Sequence, residues 1–479
     1  MTAGDTRPPA SRPPALGGQG ALGRVVLALG LAGTLLAGTL ARDTHAAPPG
    51  QAPASDATVL EDDPDWLALQ DWVSALRGLP RLRPVPRVLL SPAAFRERQA
   101  AIYRGYLDPG DLDRTRQVLV QLGVLAPDDD LVTALLDLYS ALPIGFYDPT
   151  SGVLYVRGTD QHGALERLAL AHEYTHALQD QHFGLRRLYP PPPNADRDAA
   201  VGALIEGDAL LVQEMYRLTT QPSTEEEQAE EAAALQEALA AVYGEIAQRI
   251  HWDTIPTGVV QQLYFPYLDG PRWIHAVLGD GPLTTFGAYG PAVNALFLQP
   301  PQATSQILHP EKYLANITPR PVELPELASV LGDDWQVVRR QVMGELEHRR
   351  LLGRYLAQEE AEQGAAGWAG NRLVALANRA GETASVSATV WDDAAAADQW
   401  VATYQRWVTA RGDATLVWAA AGRLIWKTPE GALLLEQRGD CTLLVHSPTV
   451  ASAEALADRA LPRPPLALAA RLARWPAPR

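Results

Sequence analysis

In the stretch Ala171–His182, AHEYTHALQDQH, two histidines stand four apart and a glutamate follows the first. On an α-helix, positions four apart share a face one turn along. His172 and His176 can therefore aim two ring nitrogens at one point, and Glu173 stands beside that stripe, within reach of a water held there. Two histidine ligands with a neighbouring general base make the hydrolytic zinc pattern HExxH. Leu165 and Ala169 continue the histidine stripe, so the rings emerge from a buried face. With 10 histidines in 479 residues, a chance match of this pattern has odds of roughly one in a hundred. The competing reading is a polar helix face carrying two hydrogen-bonded histidines.

Zinc asks for a third protein ligand and leaves one position to water. Cys441 is the single cysteine, so only His, Asp and Glu can supply ligands, and no internal disulfide can form. Glu206, in the run ALIEGDAL, is the candidate third ligand, with Asp208 and Glu214 as rivals. Gly207 and Ala209 are small, which would let this second helix approach the motif helix closely. Zn2+ is the expected cofactor.

HEYTH followed by EGDA resembles the gluzincin branch of zinc metallopeptidases, which pair HExxH with a glutamate on a second helix. A hairpin ahead of the motif resembles the edge strand on which such enzymes align an extended peptide. The segment Tyr264–Gly281, YFPYLDGPRWIHAVLGDG, is similar to the Y-x-x-G segment that follows the metal helices in small gluzincin-like families. HEYTHALQDQHF together with the later PPQATSQILHPEKY resembles a group of exported bacterial gluzincin-like proteins. The likeness covers Pro143 to Tyr313. It implies a zinc ion on His172, His176 and Glu206, with Glu173 taking a proton from water. It also implies a donor for the developing oxyanion, for which Tyr267 is the first choice and His309 the second. Leu210 departs from the E-x-x-x-D form of some gluzincins, so support for the ligands must come from elsewhere, with Asp208 or Asp180 as candidates.

Several elements must position these groups. Gly163–His182 has helical spacing and carries the motif, and Asp198–Arg217 forms the helix of Glu206. Ile144–Gly158, with Asp-Pro-Thr-Ser-Gly between two apolar runs, reads as the hairpin. Asp63–Arg77 and a segment from Ser91 read as helices, with a short strand at Arg87–Leu90 between them. Further helices are expected across Asp111–Leu122, Asp128–Leu142 and Thr224–Arg249, the last with an acidic, solvated face. A helical and loop region then runs to about Gln358. From Gly367 the texture changes to short apolar runs, RLVALANR, TASVSATVW, ATLVWAA, RLIWKT, ALLLEQ and TLLVHS, which read as strands. Helices are expected among them at Asp392–Arg411 and Ala451–Leu461. The fold class is α+β: a mostly helical zincin-like domain over 59–360 with a β-hairpin or edge strand, then a small α+β domain over 361–479.

Composition is that of a globular protein, 47% hydrophobic and 20% charged, with a net charge of -16. That balance argues against nucleic acid as a partner. Lys312 and Lys427 are the only lysines, a bias we attribute to base composition. Val25–Ala41 is uncharged and apolar, follows Arg7, Arg12 and Arg24, and precedes small residues. Residues 1–47 thus read as a secretory signal, or as a single membrane anchor if 25–41 is retained, with a linker over 48–58. The expected function is an exported zinc metallopeptidase acting on peptide or protein substrates. The alternative is a zinc-fold protein of little turnover that binds peptide or cell-envelope material.

Overall fold

The computed structural model describes residues 57–106, 145–158, 163–220 and 257–460, save single positions at 193, 286 and 421, with isolated residues at 120 and between 224 and 237. The expected signal or anchor, most of the linker, and the helices at 111–122, 128–142 and 224–249 lie wholly or mainly outside the described residues.

The first unit opens with β1 (Ala57–Leu60), α1 (Pro64–Arg77), β2 (Arg87–Leu90) and α2 (Pro92–Tyr106). Helix α1 starts where Asp63 accepts the Trp66 N–H at 2.8 Å and Pro64 presets the first turn. It stops at Gly78, whose φ of 59° suits glycine. Strands β3 (Gly145–Asp148) and β4 (Val153–Arg157) form the expected hairpin, its turn held by Asp148 Oδ1 accepting Thr150 N–H at 2.9 Å. The four-stranded order is β1-β2-β4-β3, which leaves β3 at an edge. Only the β2–β4 pairing is parallel.

Helix α3 (Ala164–Phe183) lies against this sheet, α4 (Ala195–Thr219) packs on α3, and α5 (Thr257–Leu278), α6 (Tyr289–Leu298) and the short α7 (Thr304–Leu308) pack on α4. Their core gathers Trp66, Leu69, Tyr174, Leu204, Trp273 and Tyr289, all buried.

The second unit is a seven-stranded antiparallel sheet in the order β5-β6-β7-β11-β10-β9-β8. Its strands are β5 (Gln336–Gln341), β6 (Trp368–Ala377), β7 (Thr383–Trp391), β8 (Thr415–Ala420), β9 (Arg423–Thr428), β10 (Gly431–Arg438) and β11 (Cys441–Ser447). Helices α8 (Glu345–Gly353), α9 (Gln358–Ala365) and α10 (Ala394–Arg411) cover one face, and α11 (Val450–Ala460) the other. All six apolar runs expected as strands are strands, and the class is α+β. The limit at residue 361 needs correcting. Strand β5 and helix α8 precede it, yet β5 pairs with β6, while Met343, Leu351 and Leu352 join the core of the second unit.

The two units meet at the first turn of α4. Asp196 Oδ1 accepts the Thr304 N–H at 3.0 Å and the Thr304 hydroxyl, whose oxygen accepts Leu346 N–H at 3.2 Å. A Cβ on Gly344 would stand 1.6 Å from Asp196 Oδ1, so only glycine lets the chain pass there.

Candidate metal centre

Helix α3 runs from Gly163 to a left-handed Gly184 and is buried along most of its length, including His172, Glu173 and His176. The four-residue spacing does what helical geometry demands. His172 Nε2 and His176 Nε2 face one another at 3.0 Å. From α4, Glu206 Oε2 stands 3.2 Å from the first ring nitrogen and 3.5 Å from the second. With metal–ligand bonds of about 2.0–2.1 Å, tetrahedral donors stand roughly 3.3 Å apart, so the triangle fits one zinc-sized ion. This trio is the one metal-capable cluster among the described residues.

The charges fit as well. Burial would raise the Glu206 carboxyl, but the histidines, His176 foremost, hold it below its ordinary value. Burial would lower the His176 ring, yet Glu206 and then Glu173 lift it to about 9. His172 is lowered, chiefly by burial. Without an ion, a proton on His176 compensates the buried carboxylate. A dication would take that proton's place and balance Glu206 together with an ionised Glu173.

Glu173 is held from the sheet. Its Oε2 accepts the Tyr147 N–H of β3 at 2.8 Å, while Oε1 is buried with no hydrogen-bond partner. Burial, reinforced by Glu206, lifts its carboxyl to about 8. That value belongs to the ion-free site; a dication nearby would favour the ionised carboxylate, the form that accepts a proton.

Behind the trio runs a hydrogen-bonded chain. His176 Nδ1 meets Gln179 Oε1 at 2.8 Å. The Gln179 amide donates to Asp208 Oδ2 at 2.7 Å and to the Ile205 carbonyl at 3.1 Å. Both partners are pure acceptors, so the amide cannot be flipped and its oxygen must face His176. His176 therefore carries its proton on Nδ1 and presents the Nε2 lone pair to a metal. Asp208 is itself fixed by the Tyr289 hydroxyl at 2.8 Å and by Arg77 Nη2 at 3.1 Å.

Of the sequence-derived residues, His172, Glu173, His176 and Glu206 come together. Asp208 supports the centre through Gln179 rather than as a ligand, and Glu214 is paired with Arg217 at 2.7 Å. Asp180 serves another network, accepting from the Tyr147 hydroxyl at 3.0 Å and from Arg83 at 2.7 Å. Tyr267 is buried on α5. His309 follows α7 and is tied through Nε2 to Glu345 at 2.8 Å, with Arg349 Nη2 at 3.4 Å, the arrangement of an anchoring histidine. His182 binds the Pro80 carbonyl at 2.7 Å, a structural role.

Gly207 does not mediate contact with the motif helix. A Cβ there would lie 2.5 Å from the Gly270 carbonyl carbon, so its smallness admits α5. Successive helical residues point about 100° apart. With Glu206 turned toward α3, Gly207 is turned away from it.

Sequence reading missed Gln179, Tyr289, Arg77 and Tyr189. Gln179 had a local signal, since it stands one turn beyond His176. Tyr189 lies in the chain between α3 and α4, and its hydroxyl is buried with no hydrogen-bond partner. Burial raises it well above its ordinary value, with the Asp198 and Glu206 carboxylates adding to the effect.

A family model described as a domain of unknown function (DUF8575) matches residues 333–457, which is the second unit and leaves the metal centre outside the match. No curated protein and no solved structure matches the chain.

Proposed function

We propose that this chain is a zinc-dependent metallopeptidase of gluzincin type, exported by means of residues 1–47. The observation that carries the reading is the juxtaposition of three converging donors, two from α3 and one from α4, with an unpartnered Glu173 oxygen on buried α3. Zn2+ held by His172, His176 and Glu206 would supply a Lewis acid that acidifies water and polarises a peptide carbonyl. Glu173 Oε1 takes the proton from water and later returns it to the leaving amine, while Tyr147 N–H keeps the carboxylate oriented. Gln179 keeps the His176 lone pair aimed inward. The oxyanion needs a donor with no other engagement. Tyr189, with its unpartnered hydroxyl and the influence of Glu206, meets that need better than His309.

A second reading draws on burial. The side chains of His172, Glu173, His176 and Glu206 expose no surface, so a peptide reaches them only after the fold opens. Full enclosure favours a metal-stabilised binding protein of little turnover. Substitution separates the two readings. Metal content is measured by mass spectrometry on the wild type and His176→Ala, and peptide-library cleavage on the wild type and Glu173→Gln. The peptidase reading expects about one zinc per chain, lost in His176→Ala, and cleavage falling about 10²–10⁴-fold in Glu173→Gln with zinc retained. Zinc without cleavage in the wild type supports the binding protein. An absence of zinc from the wild type overturns both.

A further inference from the structure

Glu173 and Asp180 stand seven apart on α3. Two helical turns return to nearly the same direction, about 20° off, after a rise of about 10.5 Å. Both carboxylates thus face one side of the helix, and one residue of β3 meets both. The Tyr147 N–H donates to Glu173 Oε2 at 2.8 Å, and the Tyr147 hydroxyl donates to Asp180 Oδ2 at 3.0 Å. Tyr147 is fully buried. Burial, reinforced by the Asp180 carboxylate, raises its phenol well above the ordinary value, so the hydroxyl stays a donor.

Strand β3 needs such a second anchor. It is four residues long and lies at the edge of its sheet, paired with β4 on one side. A short strand bonded on one side is free to shift against α3, and the N–H that meets Glu173 shifts with it. The bond to Glu173 fixes one point. The bond to Asp180, two turns along, fixes a second, and two points set both the place and the direction of Tyr147.

Asp180 is itself held. Its Oδ2 also accepts Arg83 Nη2 at 2.7 Å, and its Oδ1 accepts the Leu185 N–H at 3.2 Å. Gln181, the next residue, ties down the segment that carries Arg83. Its Oε1 accepts the N–H of Leu82 at 2.8 Å and of Arg83 at 3.1 Å, and its amide donates to the Arg83 carbonyl at 3.1 Å. The Arg83 side chain is half exposed, so this ion pair adds little energy and serves mainly to aim the carboxylate.

We infer that Asp180 is a positioning residue for Glu173. It acts through the Tyr147 hydroxyl, which keeps the Tyr147 N–H on Glu173 Oε2 and leaves Oε1 for water. The inference rests on the reading of Glu173 as the general base. The rival account is that Asp180 only finishes α3, through Leu185.

Hydrogen exchange resolved to single amides by mass spectrometry separates the two. It is measured on the full chain as wild type, as Tyr147→Phe, as Asp180→Ala and as the double variant. Tyr147→Phe keeps the ring and the Asp180–Leu185 bond and removes only the hydroxyl. The amide at position 147 is expected to exchange about tenfold faster in each single variant, and no faster still in the double variant. The Tyr174 amide on α3 is expected to stay unchanged. Unchanged exchange at position 147 in Tyr147→Phe would overturn the inference. So would additive effects in the double variant, since Asp180 would then reach position 147 by another route. Equal acceleration at Tyr174 would also overturn it, as a general loosening of α3. Peptide cleavage reads the base itself: kcat is expected to fall about tenfold in both single variants, with KM and zinc content unchanged. A wild-type kcat beside faster exchange at position 147 would refute the positioning role. A wild type that cleaves nothing would count against the peptidase reading, and the amide result would still decide whether Asp180 holds Tyr147 on Glu173.

Discussion

Gln179 does for His176 what a carboxylate does in many metal sites: it fixes which ring nitrogen is bare. Its amide is itself fixed by Asp208 and the Ile205 carbonyl, so the orientation of one imidazole depends on a chain ending at buried Arg77. Gln179→Leu removes the acceptor of the Nδ1 proton while keeping an apolar body of similar size. Zinc affinity, measured by competition with a chromophoric chelator, is expected to fall about 10–100-fold, with the fold intact by circular dichroism. An unchanged affinity would show that the ring is oriented by packing alone. At this scale the convergence of His172 and His176 was legible because their relation is local: two histidines one helical turn apart announce a shared face. Arg77 was not, since its partner Asp208 lies on another helix and a buried guanidinium carries no pattern in sequence.

Helix α4 has to bring Glu206 to α3 on one side and accept α5 on another. Gly207 and Gly270 meet at the crossing, where a Cβ on Gly270 would stand 2.2 Å from the Ala203 carbonyl oxygen. These are backbone contacts, and backbone cannot swing aside as a side chain can. Gly207→Ala is therefore expected to force the helices apart, at about 1–3 kcal/mol from overpacking, despite the better helix propensity of alanine. Urea unfolding should register that loss, and zinc affinity should fall with it because Glu206 moves with α4. Greater stability in Gly207→Ala would mean that the crossing yields. The elements themselves were readable wherever a period was sustained: α3, α4, the hairpin and all the later strands. Strand β5 was not, because QVVRRQ has only two apolar residues and its pairing with β6 crosses a bulge and two helices. The partner of Gly207 was misread because sequence shows that a residue is small but not which neighbour needs it so.

At the scale of the molecule, the second unit joins to the first through α8, and this helix places a histidine in the other core. His348 is held neutral, its ring lowered to about 4 by burial between the Gly344 carbonyl and Thr389. His446 on β11 is lowered to about 3 by burial and by Arg411, and its Nε2 has no hydrogen-bond partner. Unfolded, both rings would titrate near their ordinary 6.5. Between that value and the folded ones, the unfolded chain binds protons that the folded chain refuses. Stability is therefore full above pH 6.5 and declines as pH falls toward 4, each ring contributing up to about 1.4 kcal/mol per pH unit. His446→Leu removes one titration without breaking a bond to Nε2. In chelator throughout, so that loss of metal adds no slope, urea midpoints followed by tryptophan fluorescence are expected to fall less steeply from pH 6.5 to 4.5 in His446→Leu than in the wild type. Parallel slopes would mean that His446 is charged in the folded protein. That would place a cation between β11 and α10 and require an anionic partner there, with Glu430, which raises the ring, as the group to substitute next.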